Sequence, residues 1–441
     1  MNKQQTVCDY IRESYLDFGR LRFDAVAQKV QIHALEAVAE VLHEDPVPVT
    51  HPKSCWRYIT NTDINTIVCD CCRETGASVG VKEVLTMLNS DRIPRVHPLR
   101  AYIEELRPYD PATEPDWLAD LAAQVQVIHH PDADTDEQQL WEQCFRKWFV
   151  GMVAAWLDDD IVNHQVLVLI GRQGIFKTTW LEHLIPPELR GYCCKMSNAT
   201  QLTKDDKLRL AEFGLINLDE LDAMTPRELS TMKSVITTAD VNERAAYGYT
   251  KERRVRLASF CASSNRREFL TDLTGNRRWL PFEVENIASP FTHTLPYERI
   301  YAQAAFLARC GFFTYWFDLD DIRVLETHNA DYRIQESEEQ LLSILFDVPA
   351  EGRGEFFTTA QISERLVTYG NIKRPMTLPQ LGTLLANAGY RGVTRGTKSN
   401  RIRGWIVHPR DTDQINLTKR LTPDEQRGRD ESGNPTLPLM V

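Results

Sequence analysis

No stretch of this 441-residue chain is long and apolar enough to cross a bilayer. The best candidate, residues 148–157, ends in three aspartates after about ten residues, whereas a span needs roughly 20. The first residues (MNKQQTVCDYIRESYL) lack the apolar core of an export signal, so a cytoplasmic location is expected. Tandem repeats and low-complexity tracts are also missing, which excludes solenoids and fibrous chains. The ten cysteines include a C-x-C-C string (Cys69, Cys71, Cys72) and the adjacent Cys193 and Cys194, but no set with zinc-ligand spacing. Without an export signal they are expected to be reduced thiols serving as small core residues.

What remains is the composition of an ordinary globular protein, 42% hydrophobic and 26% charged, long enough for two to four domains. The net charge is −11, yet residues 353–410 carry ten Lys and Arg against two acids, Glu355 and Glu364. A local charge of +8 in an acidic chain is the footprint of a nucleic-acid-binding module, or of a basic face packed on an acidic neighbour.

The pattern along the chain divides it into five parts. Residues 1–130 read as a small mixed α/β domain, with paired strands at 21–25 and 29–33, a helix at 62–72 and a Pro-rich acidic joint at 108–116. A second joint is expected at 131–136. Residues 137–290 alternate helix and strand. An amphipathic helix over 140–157 precedes continuous apolar runs at 165–170 (QVLVLI), 215–218 and 259–263, which predict a parallel α/β sheet buried on both faces. Residues 297–337 read as a helical lid region. Residues 338–410 read as a winged helix: helices at 339–346, 360–369 (capped by Thr359) and 377–388, then strands at 390–394 and 401–407 around a turn at 396–400. Residues 411–441 read as a loose tail.

The loop after QVLVLI carries the strongest chemical signal. Gly171, Arg172, Gln173, Gly174, Ile175, Phe176, Lys177, Thr178 and Thr179 match G-x-x-x-x-G-K-[ST] except that Phe176 replaces the second glycine. A strand-loop-helix of this kind aims backbone N–H groups at an anion, with Lys177 reaching the β- and γ-phosphates of ATP and Thr178 binding Mg²⁺. If the loop needs positive φ at 176, a phenylalanine there is strained by about 1–3 kcal/mol. The strand LINL ends in Asp219 and Glu220, which suit Mg²⁺ binding and activation of water, though a pair of acids also occurs at plain solvated strand ends. Asn265 follows the third strand, where it can orient the water or sense the γ-phosphate. Arg277 and Arg278 follow at a distance suited to a finger supplied by a neighbouring subunit, or to a surface ion-pair cluster. Between the second and third strands, residues 241–258 read as a hairpin whose tip bears Lys251, Arg253 and Arg254. In a ring those cations can track a single strand while Tyr247 or Tyr249 stacks on bases; a solvated hairpin is the alternative.

The run from 149 to 284 resembles the virulence-associated protein E family of bacterial mobile elements and prophages. The residues that carry the resemblance are GRQGIFKTTW, LINLDELD, ERAAYGYTKERRVRLASF with CASSN, and FLTDLTGNRRWLPFEV. The stretches TDINTIVCD and SDRIPRVHPLRAYIEEL resemble the region preceding this ATPase in Bacteroides-type relatives. The resemblance implies a superfamily-3-like helicase core of the AAA+ class acting on DNA in replication of a mobile element. By it, Lys177 and Thr178 are the Walker A residues, Asp219 and Glu220 the Walker B pair, Asn265 the sensor, and Arg277 or Arg278 the finger. Lys233, Arg244 and Tyr247 fall on the motif between Walker B and sensor. Many relatives add a primase domain, for which this sequence has neither an Asp-x-Asp pair in a strand context nor a zinc ribbon.

The reading is therefore a P-loop NTPase core using ATP and Mg²⁺, a DNA helicase or translocase assembled as a homo-oligomeric ring, a hexamer. Single-stranded DNA lies in its channel, duplex DNA meets the basic wing at Arg391, Arg395, Lys398, Arg401 and Arg403, and no membrane is involved. Two rivals stand beside it: an ATP-controlled replication initiator or regulator with little turnover, and an NTPase of a prophage-borne defence module.

Overall fold

The computed structural model describes residues 2–33, 56–129, 136–196, 204–224, 226–243, 252–270, 276–292, 294–333, 337–349, 354–370, 375–397 and 400–410. It is a mixed α/β protein divided into two compact units, Met1–Arg333 and Ile334–Val441. The expected tail at 411–441 and the joint at 131–135 lie outside the described residues.

The first unit opens with α1 (Lys3–Ile11), a wide helical turn, β1 (Leu21–Asp24), β2 (Lys29–His33), β3 (Trp56–Tyr58), α2 (Asn61–Thr75), α3 (Val81–Leu88) and β4 (Arg95–Val96). The strands form a sheet of order β3-β2-β1-β4. Period-2 alternation turns Leu21, Phe23, Val30 and Ile32 to one face, where Val7, Ile11, Ile67 and Leu88 of the helices cover them. Helix α2 begins where Thr60 and Asp63 cap each other's backbone N–H, and it ends at Gly76, whose φ of 67° is the left-handed closure glycine accepts without strain.

Next come α4 (Pro98–Glu104), α5 (Trp117–Ala122), β5 (Val125–Val127) and α6 (Glu137–Leu157). Leu99, Ile103, Leu118, Leu121 and Val125 share one core with Trp141, Phe145, Trp148 and Phe149 of α6, so packing runs straight across the boundary expected at residue 130. The acidic joint at 108–116 is held as well: Glu114 takes both Nε (2.7 Å) and Nη2 of Arg299. An acidic Pro-rich segment reads as a linker by composition, and its distant arginine partner is invisible in sequence. Helix α6 differs from the expected amphipathic helix in being buried around most of its circumference, its buried residues including Val150, Gly151, Ala154 and Ala155 beside the aromatics.

The core continues with β6 (Val166–Ile170), α7 (Lys177–His183), β7 (Cys193–Met196), α8 (Lys204–Glu212), β8 (Leu215–Leu218), α9 (Pro226–Thr237), β9 (Asp240–Glu243), β10 (Glu252–Val255), β11 (Ser259–Ser264), β12 (Trp279–Ile287), α10 (Tyr297–Arg309) and α11 (Leu319–Ala330). Its sheet has the order β5-β12-β6-β11-β8-β7, parallel except for β5 at one edge. Alternate residues of β6 fill two cores: Leu167 and Leu169 meet α6, while Val166, Val168 and Ile170 meet Met232, Ile236 and Phe260. Strand β12 was hidden in the sequence by Pro281, which normally argues against an internal strand. Here β5 pairs with β12 only from Val284 onward, and at Pro281 the outer side of β12 faces α11, whose His328 Nε2 meets Pro281 O at 2.6 Å, so no strand-to-strand donor is lost.

The second unit holds α12 (Ser337–Leu345), β13 (Phe346–Asp347), β14 (Glu355–Thr358), α13 (Thr359–Gly370), α14 (Leu378–Asn387), β15 (Arg391–Thr397) and β16 (Asn400–Pro409). The long β15–β16 hairpin pairs with β14 and β13 along β16, and Leu345, Ile362, Leu385, Trp405 and Val407 form its core. Thr358, not Thr359, caps α13: its Oγ1 accepts from Gln361 N at 3.2 Å, and the Gln361 carboxamide oxygen takes Thr358 N in return.

Candidate active site

Three connections meet at the carboxyl edge of the parallel sheet: residues 171–176 after β6, 219–224 after β8 and 265–268 after β11. In open α/β sheets this edge is where ligands bind. Gly171 N donates to Ser264 O at 3.1 Å, which ties the first loop to β11.

The loop is built from unusual backbone. A Cβ on Gly171 would sit 2.8 Å from the carbonyl oxygen of Val284, and φ at Gly174 is 88°, so both positions require glycine. Phe176 adopts φ 66° and ψ 16°, the left-handed conformation that the missing second glycine would supply. Glu220 is also left-handed, at φ 56° and ψ 51°. Among the described residues three non-glycines have positive φ, and two of them flank this one crevice. Strain of this kind concentrates where a ligand or reaction needs it.

Lys177, 7% exposed, turns its Nζ back onto Gly171 O (2.6 Å), Arg172 O (2.8 Å) and Asn265 Oδ1 (3.1 Å). Desolvation pulls the ammonium below the ordinary lysine range, while the nearby charges of Asp222 and Asp219 oppose it. Beside it, Thr178 Oγ1 donates to Asp219 Oδ1 at 3.0 Å and Ser263 Oγ donates to the same oxygen at 2.8 Å. A hydroxyl, a carboxylate and a second hydroxyl in one place form an all-oxygen donor set of the kind hard divalent cations take. Exposed Glu220 borders this set directly after Asp219. The structure thus brings Lys177, Thr178, Asp219, Glu220 and Asn265 to one place.

Sequence reasoning missed two contributors. Ser263 reads in sequence only as the end of the third strand, and its hydroxyl donates to Asp219 while lying 3.1 Å from Thr178 Oγ1. Asp222 accepts from Asn265 N at 3.4 Å and acts on the Lys177 charge. Its place three residues after Asp219 in LDELD was the available signal.

Arg277 and Arg278 are not brought to this edge. Strand β12 runs parallel to β6 with Trp279 opposite Val166, so the two arginines lie before the amino end of the sheet, a full strand of roughly 15 Å from the loop at its other end. Arg277 is exposed and Arg278 half-buried.

Strands β9 and β10 pair antiparallel from Glu243 opposite Glu252 to Asp240 opposite Val255. The hairpin tip, with Arg244, Tyr247 and Lys251, lies outside the described residues. Arg253 pairs with Asp240 on the neighbouring strand (2.6 Å) and Arg254 with Glu212 at the end of α8 (3.0 Å). Lys233 is half-buried on α9. Arg256, buried and stacked over Phe260, is the anchor that sequence reading missed: it donates to Ala258 O, Asn163 O (both 2.9 Å) and Ile236 O, and burial lowers its pKa to about 9.

In the second unit Arg391, Arg395, Arg401 and Arg403 are all exposed on the β15–β16 hairpin; Lys398 lies outside the described residues. The register puts Arg395 opposite Ile402 and Arg403 opposite Thr394, which places Arg391 and Arg395 on one face and Arg401 and Arg403 on the other. Arg395 lies over the Phe356 ring at 4.8 Å.

No helix among the described residues is long and apolar enough to cross a membrane. Of the solved structures, the apo NrS-1 C-terminal region is similar at 12% identity over 89% of this chain and 97% of that one, with a TM-score of 0.43. The A form of the same region gives 12% identity, 89% and 98% coverage and a TM-score of 0.42. No curated protein matches. Residues 116–334, which contain every residue of the crevice, match the virulence-associated protein E-like domain, so this part of the chain is a domain of the virulence-associated protein E-like family.

Proposed function

We propose that the chain is a Mg²⁺-dependent ATPase of the P-loop, AAA+ superfamily-3-like class that works on DNA as a helicase or translocase in replication of a mobile element. The observation that carries this reading is the convergence of Lys177, Thr178, Asp219 and Asn265 from three strand ends into one crevice. The all-oxygen set of Thr178 and Asp219 fits Mg²⁺, which when bound neutralises charge on the β- and γ-phosphates. Lys177 exchanges its loop carbonyls for phosphate oxygens, and the amides of Gln173, Gly174, Ile175, Phe176 and Thr179 line the phosphate cradle, while Gly171 N stays on Ser264 O and anchors the loop. Glu220 takes a proton from the attacking water, and Asn265, already bonded to Lys177, orients that water against the γ-phosphate.

In this reading the arginines act across a subunit boundary. Arg277 and Arg278 lie at the opposite sheet edge from their own loop, which suits a finger that completes a neighbour's site in a ring, a hexamer. The β9–β10 hairpin, with Lys233, Arg244, Tyr247, Lys251, Arg253 and Arg254 on or near it, is proposed to engage single-stranded DNA. The second unit is proposed to be a winged helix whose Arg391, Arg395, Lys398, Arg401 and Arg403 meet duplex phosphates; cations on both hairpin faces suit a wing that lies in a groove.

The test is steady-state ATP hydrolysis by the wild type and Lys177→Ala, with and without single-stranded DNA. Turnover that requires Lys177 and rises with DNA supports a motor. Nucleotide binding without turnover in either condition would move the assignment to a regulator.

A further inference from the structure

Beside the loop lies an aromatic surface that is open to solvent. Phe291, on the connection between β12 and α10, is 71% exposed, and Phe176 is 39% exposed. The two rings meet at 6.1 Å and 78°, and His183 meets Phe291 at 5.5 Å and 83°. Phe291 therefore touches residues at both ends of α7, the helix that starts at Lys177 and spans about 10 Å.

This surface is held in place. His183 Nδ1 is bonded to Thr179 O at 2.7 Å, its carbonyl accepts from Tyr297 OH at 2.6 Å, and Phe291 N donates to Ser289 Oγ at 3.4 Å. A glycine at 176 would satisfy the left-handed backbone without strain. The phenylalanine adds a ring edge against Phe291, which glycine cannot.

We infer that Phe291, braced by Phe176 and His183, is the stacking platform for the base of the nucleotide whose phosphates occupy the loop. The inference rests on the nucleotide-binding reading of Lys177 and Thr178. It names the substrate more closely: a nucleoside triphosphate recognised through the π-face of its base. Stacking tolerates any base, so it predicts weak discrimination between adenine and guanine and a preference for purines, whose π-surface is larger.

Calorimetric titration of the full chain with Mg-ATP, Mg-UTP and inorganic tripolyphosphate tests it. Phe291→Ala should weaken ATP about tenfold, leave tripolyphosphate within twofold, and narrow the difference between ATP and UTP; Phe291→Tyr should restore ATP binding. Equal loss for ATP and tripolyphosphate, or unchanged ATP affinity, would overturn the platform. Unchanged ATP affinity with altered sedimentation would also overturn it and make Phe291 a subunit contact. Lys177→Ala separates the two readings. It should weaken both ligands, and if it weakens neither, the loop itself is misassigned whatever Phe291→Ala does.

Discussion

Thr178 Oγ1 donates to Asp219 Oδ1 over 3.0 Å although 41 residues separate them, and Ser263 donates to the same oxygen. Thr178→Ala and Asp219→Asn should each lower turnover by roughly 10²–10³-fold, the scale for removing a group that stabilises developing charge. Both should also raise the Mg²⁺ concentration for half-maximal rate. Ser263→Ala should cost less than tenfold, because it removes a donor to Asp219 and leaves the other two groups. Turnover of Thr178→Ala with an unshifted Mg²⁺ requirement would remove Thr178 from the metal site.

The loop backbone makes opposite predictions at two positions. Gly171→Ala drives a Cβ against the Val284 carbonyl at 2.8 Å, where strand backbone cannot withdraw, and should cost about 1–3 kcal/mol with loss of nucleotide binding. Phe176→Gly relieves left-handed strain at a ring that is 39% exposed and should leave stability unchanged or raise it by about 1 kcal/mol. Thermal unfolding of the two variants reads this directly; a marked loss for Phe176→Gly would show that the ring is a packing residue.

Asp24 is fully buried and accepts four bonds: Val26 N and Ala27 N (2.9 Å each), Tyr58 OH (3.0 Å) and Tyr192 OH (2.5 Å). The last of these ties the amino-terminal sheet to the segment before β7. Tyr192→Phe should cost about 1.5–3 kcal/mol in urea unfolding, the range for a hydrogen bond to a charged group. Asp24→Ala should cost more, since it strands two backbone donors and two hydroxyls. A Tyr192→Phe change below about 0.5 kcal/mol would make the contact incidental.

Arg277→Ala or Arg278→Ala subunits should be inactive alone and regain part of their turnover when mixed with Glu220→Gln subunits, because each variant supplies what the other lacks. Absence of rescue at every mixing ratio would count against a site shared between subunits.

Much of this was legible in the sequence because it is local. Runs such as QVLVLI can satisfy their side chains only inside a sheet covered on both faces, and the glycine-containing connection that leads from it to Lys177 is a strand-loop-helix pattern readable within about fifteen residues. The start of a helix after Thr377 and the order of helices followed by a hairpin at 338–410 are equally short-range, whereas the helix read as 62–72 runs on to Gly76. What only the tertiary structure decided depends on contacts with no fixed spacing. Pro281 sits in a strand because its neighbour β5 begins pairing beyond it, and residues 98–127 join the core because their apolar faces meet α6 and α10. Ser263, Asp222 and Phe291 are ordinary residues in one dimension. They come within hydrogen-bonding or ring-contact distance of the loop only when parallel pairing of β12, β6, β11 and β8 brings their strand ends and connections together. The same pairing sets Arg277 and Arg278 at the far edge, where sequence order alone had them simply next in line.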